Sequence, residues 1–321
     1  MNTAHLPFTK TDAYLDLARR GKNEWWRYLL AVLLILFCWQ ILGSGPTLIL
    51  FAWVLFSGKT HTMMDAVNLS GVDPTLKFVA LMLASVFFLL GIVLAMRFIH
   101  RRSWLSLITP SGSISWGSLF LGFGLWFGLA GLSSILEAVM HPGRYSWTFD
   151  PPRFFLFMLL ALLFIPIQAS TEELLFRGYL LQGVGLRMRR VWLLCLISGL
   201  LFMAPHFLNP EAAVNFALMG LGYFAMGAFL AYMTLRAGRL ELALGVHTAN
   251  NLFSVLIANT RVSSLPSPSL FTVNVLDPVF SVLASLVSIG LFLWLCFGLF
   301  RKKQDSLPGQ PAVKPSGGEP R

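Results

Sequence analysis

Apolar runs about as long as a bilayer is thick recur along the chain from Leu29 to Phe300, and they decide its solvent before any other feature does. A hydrocarbon core of about 30 Å takes roughly 20 apolar residues of helix. Inside it every backbone N–H and C=O must be paired within its own segment, which favours helices. A spanning β-barrel would read as short alternating strands, and no such pattern is present. Charged residues make up only 12% of the chain and the mean hydropathy is +0.71, whereas a soluble domain carries about 25% charged residues. The reading is all-α: a polytopic transmembrane helical bundle.

Eight spans are expected, at 28–56, 76–98, 116–139, 154–185, 191–206, 212–235, 241–259 and 277–300. Together they form a transmembrane domain over 28–300. It is preceded by a basic, partly amphipathic cytoplasmic segment, 1–27, and followed by a Pro-, Gly- and Lys-rich tail, 301–321, expected to be disordered. Gly43-Ser44-Gly45-Pro46 should kink or break the first span. Gly124 and Gly128 in the third are spaced for close helix packing. The fourth is too long for a bilayer and must tilt, bend or protrude. Asp12, Asp16 and Glu24 precede the first span, so it reads as an uncleaved anchor rather than a signal peptide. No internal repeat is visible. Cys38, Cys195 and Cys296 lie inside apolar runs and read as small buried hydrophobes.

The net charge of +10 is membrane-related and gives no reason to expect nucleic acid as a partner. With the N-terminus inside, sixteen bases fall on cytoplasmic segments and five, Lys59, Lys77, Arg144, Arg153 and Arg261, fall outside. That sorting places both termini in the cytoplasm.

Ionisable groups inside a membrane are costly, about 2.5–3.5 kcal/mol each on insertion scales, and the few present point to function. Glu137 and Glu241 sit near span ends. Glu172, Glu173 and Arg177 lie within the fourth stretch, His206 ends the fifth, and His247 and Asn251 lie in the seventh. Glu173 and Arg177, at i and i+4, share a helix face and can neutralise each other. Glu172 points about 100° away and has no local cation. It needs a partner from another helix, and a histidine would serve. A carboxylate so placed suits a general base. His247 and Asn251 share a face, and their donors could bind a developing oxyanion. From the cytoplasmic bases Glu172 and His206 lie about 22–24 Å deep, and His247 only about 12 Å. Three uses remain open for such a cluster: catalysis, a proton-coupled transport path, or structural glue in a non-catalytic scaffold.

The three motifs, Glu172-Glu173-Leu-Leu-Phe-Arg177, Phe202-Met-Ala-Pro-His206 and His247-Thr-Ala-Asn-Asn251, resemble the EExxxR, FxxxH and HxxxN signatures of the CAAX protease and bacteriocin-processing (CPBP, Abi) family. That family includes the type II CAAX prenyl endopeptidases, and the resemblance covers about 150–260. It implies a membrane hydrolase that cuts peptide bonds within the bilayer of a bacterial cell, on hydrophobic or lipidated, possibly prenylated, peptides. It also implies residue roles. Glu172 activates water with help from His206, and His247 and Asn251 stabilise the oxyanion. Glu173 and Arg177 support the motif helix. A metal-free glutamate mechanism is favoured over a zinc metalloprotease, in which Glu172, His206 and His247 would be the ligands.

Overall fold

The computed structural model describes residues 10–57, 62–63 and 69–299. The tail 301–321, residues 1–9 and most of 58–68 lie outside the described residues. The chain builds a helical bundle. α1 (Lys10–Leu15) and a 3-10 turn (Asp16–Arg20) form the N-terminal segment. The first apolar stretch is α2 (Trp25–Leu36), a π turn (Phe37–Leu42) and α3 (Gly45–Phe56), with Pro46 in the first turn of α3. The break therefore falls at the Gly-Ser-Gly-Pro sequence, where the proline lacks an N–H that a helix start does not need. Then follow α4 (Pro74–Leu94), α5 (Trp116–Met140) and α6 (Pro151–Glu173). α6 runs through a π-helical turn (Leu174–Leu180) into α7 (Leu181–Gly185). α8 (Val191–His206), α9 (Phe216–Ala237), α10 (Glu241–Leu252) and α11 (Pro278–Trp294) complete the bundle.

Six helical stretches among the described residues are long and apolar enough to cross a membrane, the longest being Pro151–Gly185 at 35 residues. The other two expected spans are shorter. α8 has 16 residues and α10 has 12, extended by a π turn over Phe253–Ile257. α10 is short and comparatively polar because it faces protein, not lipid. Every residue from Glu241 to Ala249 is buried. α5, α6 and α9 pack around it, so its polar groups meet other side chains instead of hydrocarbon.

The α5–α10 crossing shows where close packing is made. Gly124 and Gly128, whose spacing suits close helix packing, have open space where a Cβ would stand. Gly122 and Gly245 make the approach instead. A Cβ on Gly245 would lie 2.1 Å from the Leu119 carbonyl oxygen, and one on Gly122 would lie 2.5 Å from that of Leu242. Gly245→Ala should therefore lower the melting temperature in detergent, by a loss of about 1–3 kcal/mol as in other overpacked sites. Gly124→Ala should melt like the wild type; equal effects of the two would contradict this account of the crossing.

The loops contact one another in two groups. In one, the Lys22 N–H donates to the His100 carbonyl at 2.9 Å, Arg189 pairs with Asp16 at 2.7 Å, and the Leu240 N–H donates to the Ile108 carbonyl at 2.8 Å. In the other, β1 (Tyr145–Trp147) pairs antiparallel and β2 (Ala258–Thr260) parallel with a central β3 (Phe271–Val273), Ser146 standing opposite Thr272. Glu137 belongs to this second end, where Arg144 joins it, at 2.8 Å, to Asp277, at 3.2 Å. Glu241 belongs to the first, accepting from the Ser115 N–H at 3.0 Å and pairing with Arg239 at 3.1 Å.

Candidate active site

Three helices supply the polar cluster. Near the end of α6, Pro166 removes one backbone donor, and the regular ladder gives way to the π turn directly after Glu173. π turns also occur elsewhere in this chain, at Phe37–Leu42 and Phe253–Ile257 among others. The extra residue in that turn does not separate Glu173 from Arg177. Their side chains meet at 2.6 Å, both wholly inaccessible. Arg177 also donates to the Gly227 carbonyl of α9 at 3.1 Å and lies over the Phe202 ring of α8 at 4.4 Å. The expected charge pair is thus present, and it ties α6 to two neighbours.

His247 of α10 stands between the two carboxylates. Its Nδ1 is 2.8 Å from Glu173 Oε1, and its Nε2 is 3.7 Å from Glu172 Oε2. Spacing alone asked for a partner to Glu172 from another helix, for which a histidine would serve; it did not reveal that Glu173 holds Nδ1 of the histidine that stands nearest. A carboxylate beside Nδ1 fixes the ring orientation, as second ligands commonly do for functional histidines. Glu172 Oε1 accepts from Gln168, one turn earlier on the same face. Glu172 Oε2 has no hydrogen-bond partner among the described residues.

His206 ends α8, one residue after Pro205. Its Nδ1 lies 2.7 Å from the Phe202 carbonyl, an acceptor, so Nδ1 carries the proton and Nε2 keeps its lone pair. The ring packs between Phe202, centroids 4.3 Å apart, and Tyr223 of α9, at 4.8 Å. Phe202 also meets His247 edge-on at 5.7 Å, so one phenyl ring spaces both histidines and covers Arg177. Asn251 donates to Gln168 Oε1 at 2.9 Å.

Glu172, His206, His247 and Asn251 all line one cavity of about 850 Å³. Its wall combines these polar groups with apolar side chains such as Trp39, Met82, Phe88 and Met226. Ser263–Pro266, from the loop before β3, also reaches it, and Glu211 holds that loop by accepting from the Ser264 N–H at 2.7 Å. Mixed walls of this kind, with few convergent polar groups, are the usual form of a substrate site. Gln168 and Tyr223 were not picked out from sequence. Gln168 was legible as a lone amide four residues before Glu172 in an apolar run; Tyr223 carried no comparable signal.

A zinc ion in this cluster would draw on Glu172, His206 and His247. Each histidine has Nδ1 engaged, by Glu173 or by the Phe202 carbonyl. Among the described residues no three of His, Cys, Asp or Glu stand as a group able to hold an ion. Nδ1 contacts of this kind also accompany histidines that bind metal through Nε2, so they suit a metal-free site and the zinc set of Glu172, His206 and His247 alike.

Residues 151–253 match the family model described as type II CAAX prenyl endopeptidase Rce1-like. The chain is also similar to the uncharacterized protein YyaK of Bacillus subtilis (strain 168), at 35% identity over 294 residues, 89% of this chain and 95% of that protein. No solved structure matches. The matched residues contain all three motifs, from the α6 carboxylates to Asn251, and the relative extends the likeness over nearly the full length. The chain therefore belongs to the Rce1-like family of type II CAAX prenyl endopeptidases, intramembrane proteases of the CAAX type.

Proposed function

We propose that this multi-pass membrane protein is an endopeptidase of the bacterial cell membrane that hydrolyses hydrophobic or lipid-modified peptides without a metal. The observation that carries the reading is the placement of Glu172, with one carboxylate oxygen lacking a hydrogen-bond partner among the described residues, on a cavity shared with His206, His247 and Asn251.

In the proposed reaction Glu172 Oε2 takes a proton from water as the oxygen attacks the scissile carbonyl. His206, protonated at Nδ1, offers Nε2 to the same water. The carbonyl oxygen becomes an oxyanion, and it needs donors. Asn251 spends one N–H on Gln168 and has a second to give. His247 donates from Nε2 only if it is doubly protonated, since its Nδ1–H points at Glu173. Two carboxylates and one guanidinium leave room for that positive charge in a neutral cluster. The proton held by Glu172 then passes to the leaving amine as the C–N bond breaks. The apolar wall around Trp39, Met82 and Phe88 suits the hydrophobic part of a substrate.

Membranes from cells expressing wild type and Glu172→Ala should yield different peptide products by mass spectrometry, with a set present only in the wild type. Identical products, with a proton-coupled flux changed by the substitution, would favour transport through the same cluster.

A further inference from the structure

A hydrogen-bonded chain of side chains runs from Glu172 along the cavity wall, through Gln168, Asn251 and Asn250, and ends on Trp126 behind it. Trp126 of α5 donates its indole N–H to Asn250 Oδ1 at 3.2 Å. Asn250 Nδ2 donates to Asn251 Oδ1 at 3.2 Å. Asn251 Nδ2 donates to Gln168 Oε1 at 2.9 Å, and Gln168 Nε2 donates to Glu172 Oε1. The sequence of bonds crosses three helices, from α5 through α10 to α6.

Each link constrains the next. An indole N–H can only donate, so Asn250 must turn its oxygen to Trp126 and its NH₂ to Asn251. Asn251 must then present its oxygen to Asn250 and its NH₂ to Gln168. Gln168, in turn, must present NH₂ to Glu172, whose ionised carboxylate can only accept. A donor-only group at one end and an acceptor-only group at the other leave a single orientation for all three amides. Their dipoles align toward the carboxylate, and bonds in such a chain polarise one another. The Trp126 end is fixed: the residue is 4% exposed, its ring stacks on Phe229 at 5.5 Å and it meets Phe292 at 6.2 Å.

We infer that Gln168 is a positioning residue for the protease reaction, held by an oriented relay, Trp126 to Asn250 to Asn251 to Gln168, that aims the Glu172 carboxylate and the Asn251 amide at the same substrate carbonyl. It rests on the protease reading above. Oε1 of Glu172 is anchored by Gln168, which leaves Oε2, buried and without a hydrogen-bond partner among the described residues, as the oxygen with lone pairs to spare. Asn251 is held by Asn250 and Gln168 with its second N–H unspent. One hydrogen-bonded chain therefore sets the base and an oxyanion donor together, from a tryptophan that lines no part of the cavity.

The test uses the full chain in detergent, a farnesylated CAAX peptide as probe, and three variants. Gln168→Met keeps length and removes the amide. Trp126→Phe keeps an aromatic ring against Phe229 and Phe292 but removes the N–H together with the five-membered half of the indole. Glu172→Gln is the control for the chemistry. Gln168→Met should lower kcat about 10–100-fold, the range seen when an orienting partner is lost. KM should stay within about threefold, as expected when only transition-state interactions are removed. Trp126→Phe should lower kcat severalfold in the same way, with a fall in melting temperature from the lost core volume, so the spectroscopic readout carries the weight for this variant. Infrared difference spectra with labelled glutamate provide a readout independent of the probe. The carboxylate stretch that disappears in Glu172→Gln should shift in Gln168→Met and, by less, in Trp126→Phe. An unshifted band, or a Gln168→Met kcat within twofold of wild type where the peptide is cut, overturns the relay. If Glu172→Gln cuts the peptide as wild type does while the band shifts, the relay stands as structure and the protease reading fails.

Discussion

Replacing Glu172 with glutamine is expected to lower peptide hydrolysis by about 10²–10⁴-fold, the usual cost of a lost general base, while the protein inserts and melts as before. The structure gives a reason for both halves. Glutamine has the shape of glutamate and keeps a carbonyl oxygen at the position of Oε1, so Gln168 retains its acceptor. The change falls on Oε2, which has no hydrogen-bond partner among the described residues and whose replacement by NH₂ cannot take a proton from water. His247 Nε2, 3.7 Å away, is too distant to have been held by that oxygen, so its ring stays with Glu173. The measurement is kcat on a farnesylated CAAX peptide beside a thermal melt. Unchanged kcat would remove Glu172 from the chemistry; a lowered melting temperature in step with activity would make it a structural group.

The fold class was legible because lipid imposes a length and a composition that runs of apolar residues display directly. The Glu173–Arg177 pair was legible because it depends only on helix spacing. Depth was less legible. His247 was placed shallow by counting from Arg239, on the assumption that a base marks the membrane surface. Here the turn before α10 is roofed by other chain. Leu240 is fully buried and bonds to the Ile108 carbonyl, and Arg239 reaches Thr109 and Glu241 rather than water alone. His247 nonetheless meets Glu173 at 2.8 Å, so counting residues from a base did not show which side chains stand level with one another. The glycine pair failed for a related reason. Spacing shows that Gly124 and Gly128 share a stripe, but which stripe of α5 faces protein is settled by its partner, and the partner lies against Gly122. The same limit hid the N-terminal segment, whose Tyr14 hydroxyl lies 2.7 Å from the Leu107 carbonyl and 3.2 Å from that of Arg177.

Arg177→Ala is expected to cost about 3–5 kcal/mol of stability, the range for removing one partner of a buried ion pair, and to reduce folded protein as well as activity. Arg177 and Glu173 are both wholly inaccessible, so neither charge has water to fall back on. The guanidinium and the His247 imidazole share one oxygen, Glu173 Oε1, and Glu173 Oε2 has no partner among the described residues. Deleting the arginine thus leaves a buried carboxylate held by His247 alone, and also opens the contacts to Gly227 and Phe202. Glu173→Gln combined with Arg177→Met should recover much of the loss. Methionine fills part of the stem volume, no charge is stranded, and the glutamine carbonyl still accepts from His247 Nδ1. Recovery of stability without recovery of full activity is the expected pattern, because His247 would then lack its ionised neighbour and the charge balance that lets Nε2 donate. Melts in detergent decide between this and the alternative. If Arg177→Ala melted like wild type and lost only turnover, the arginine would act on substrate, and the structural role would be wrong.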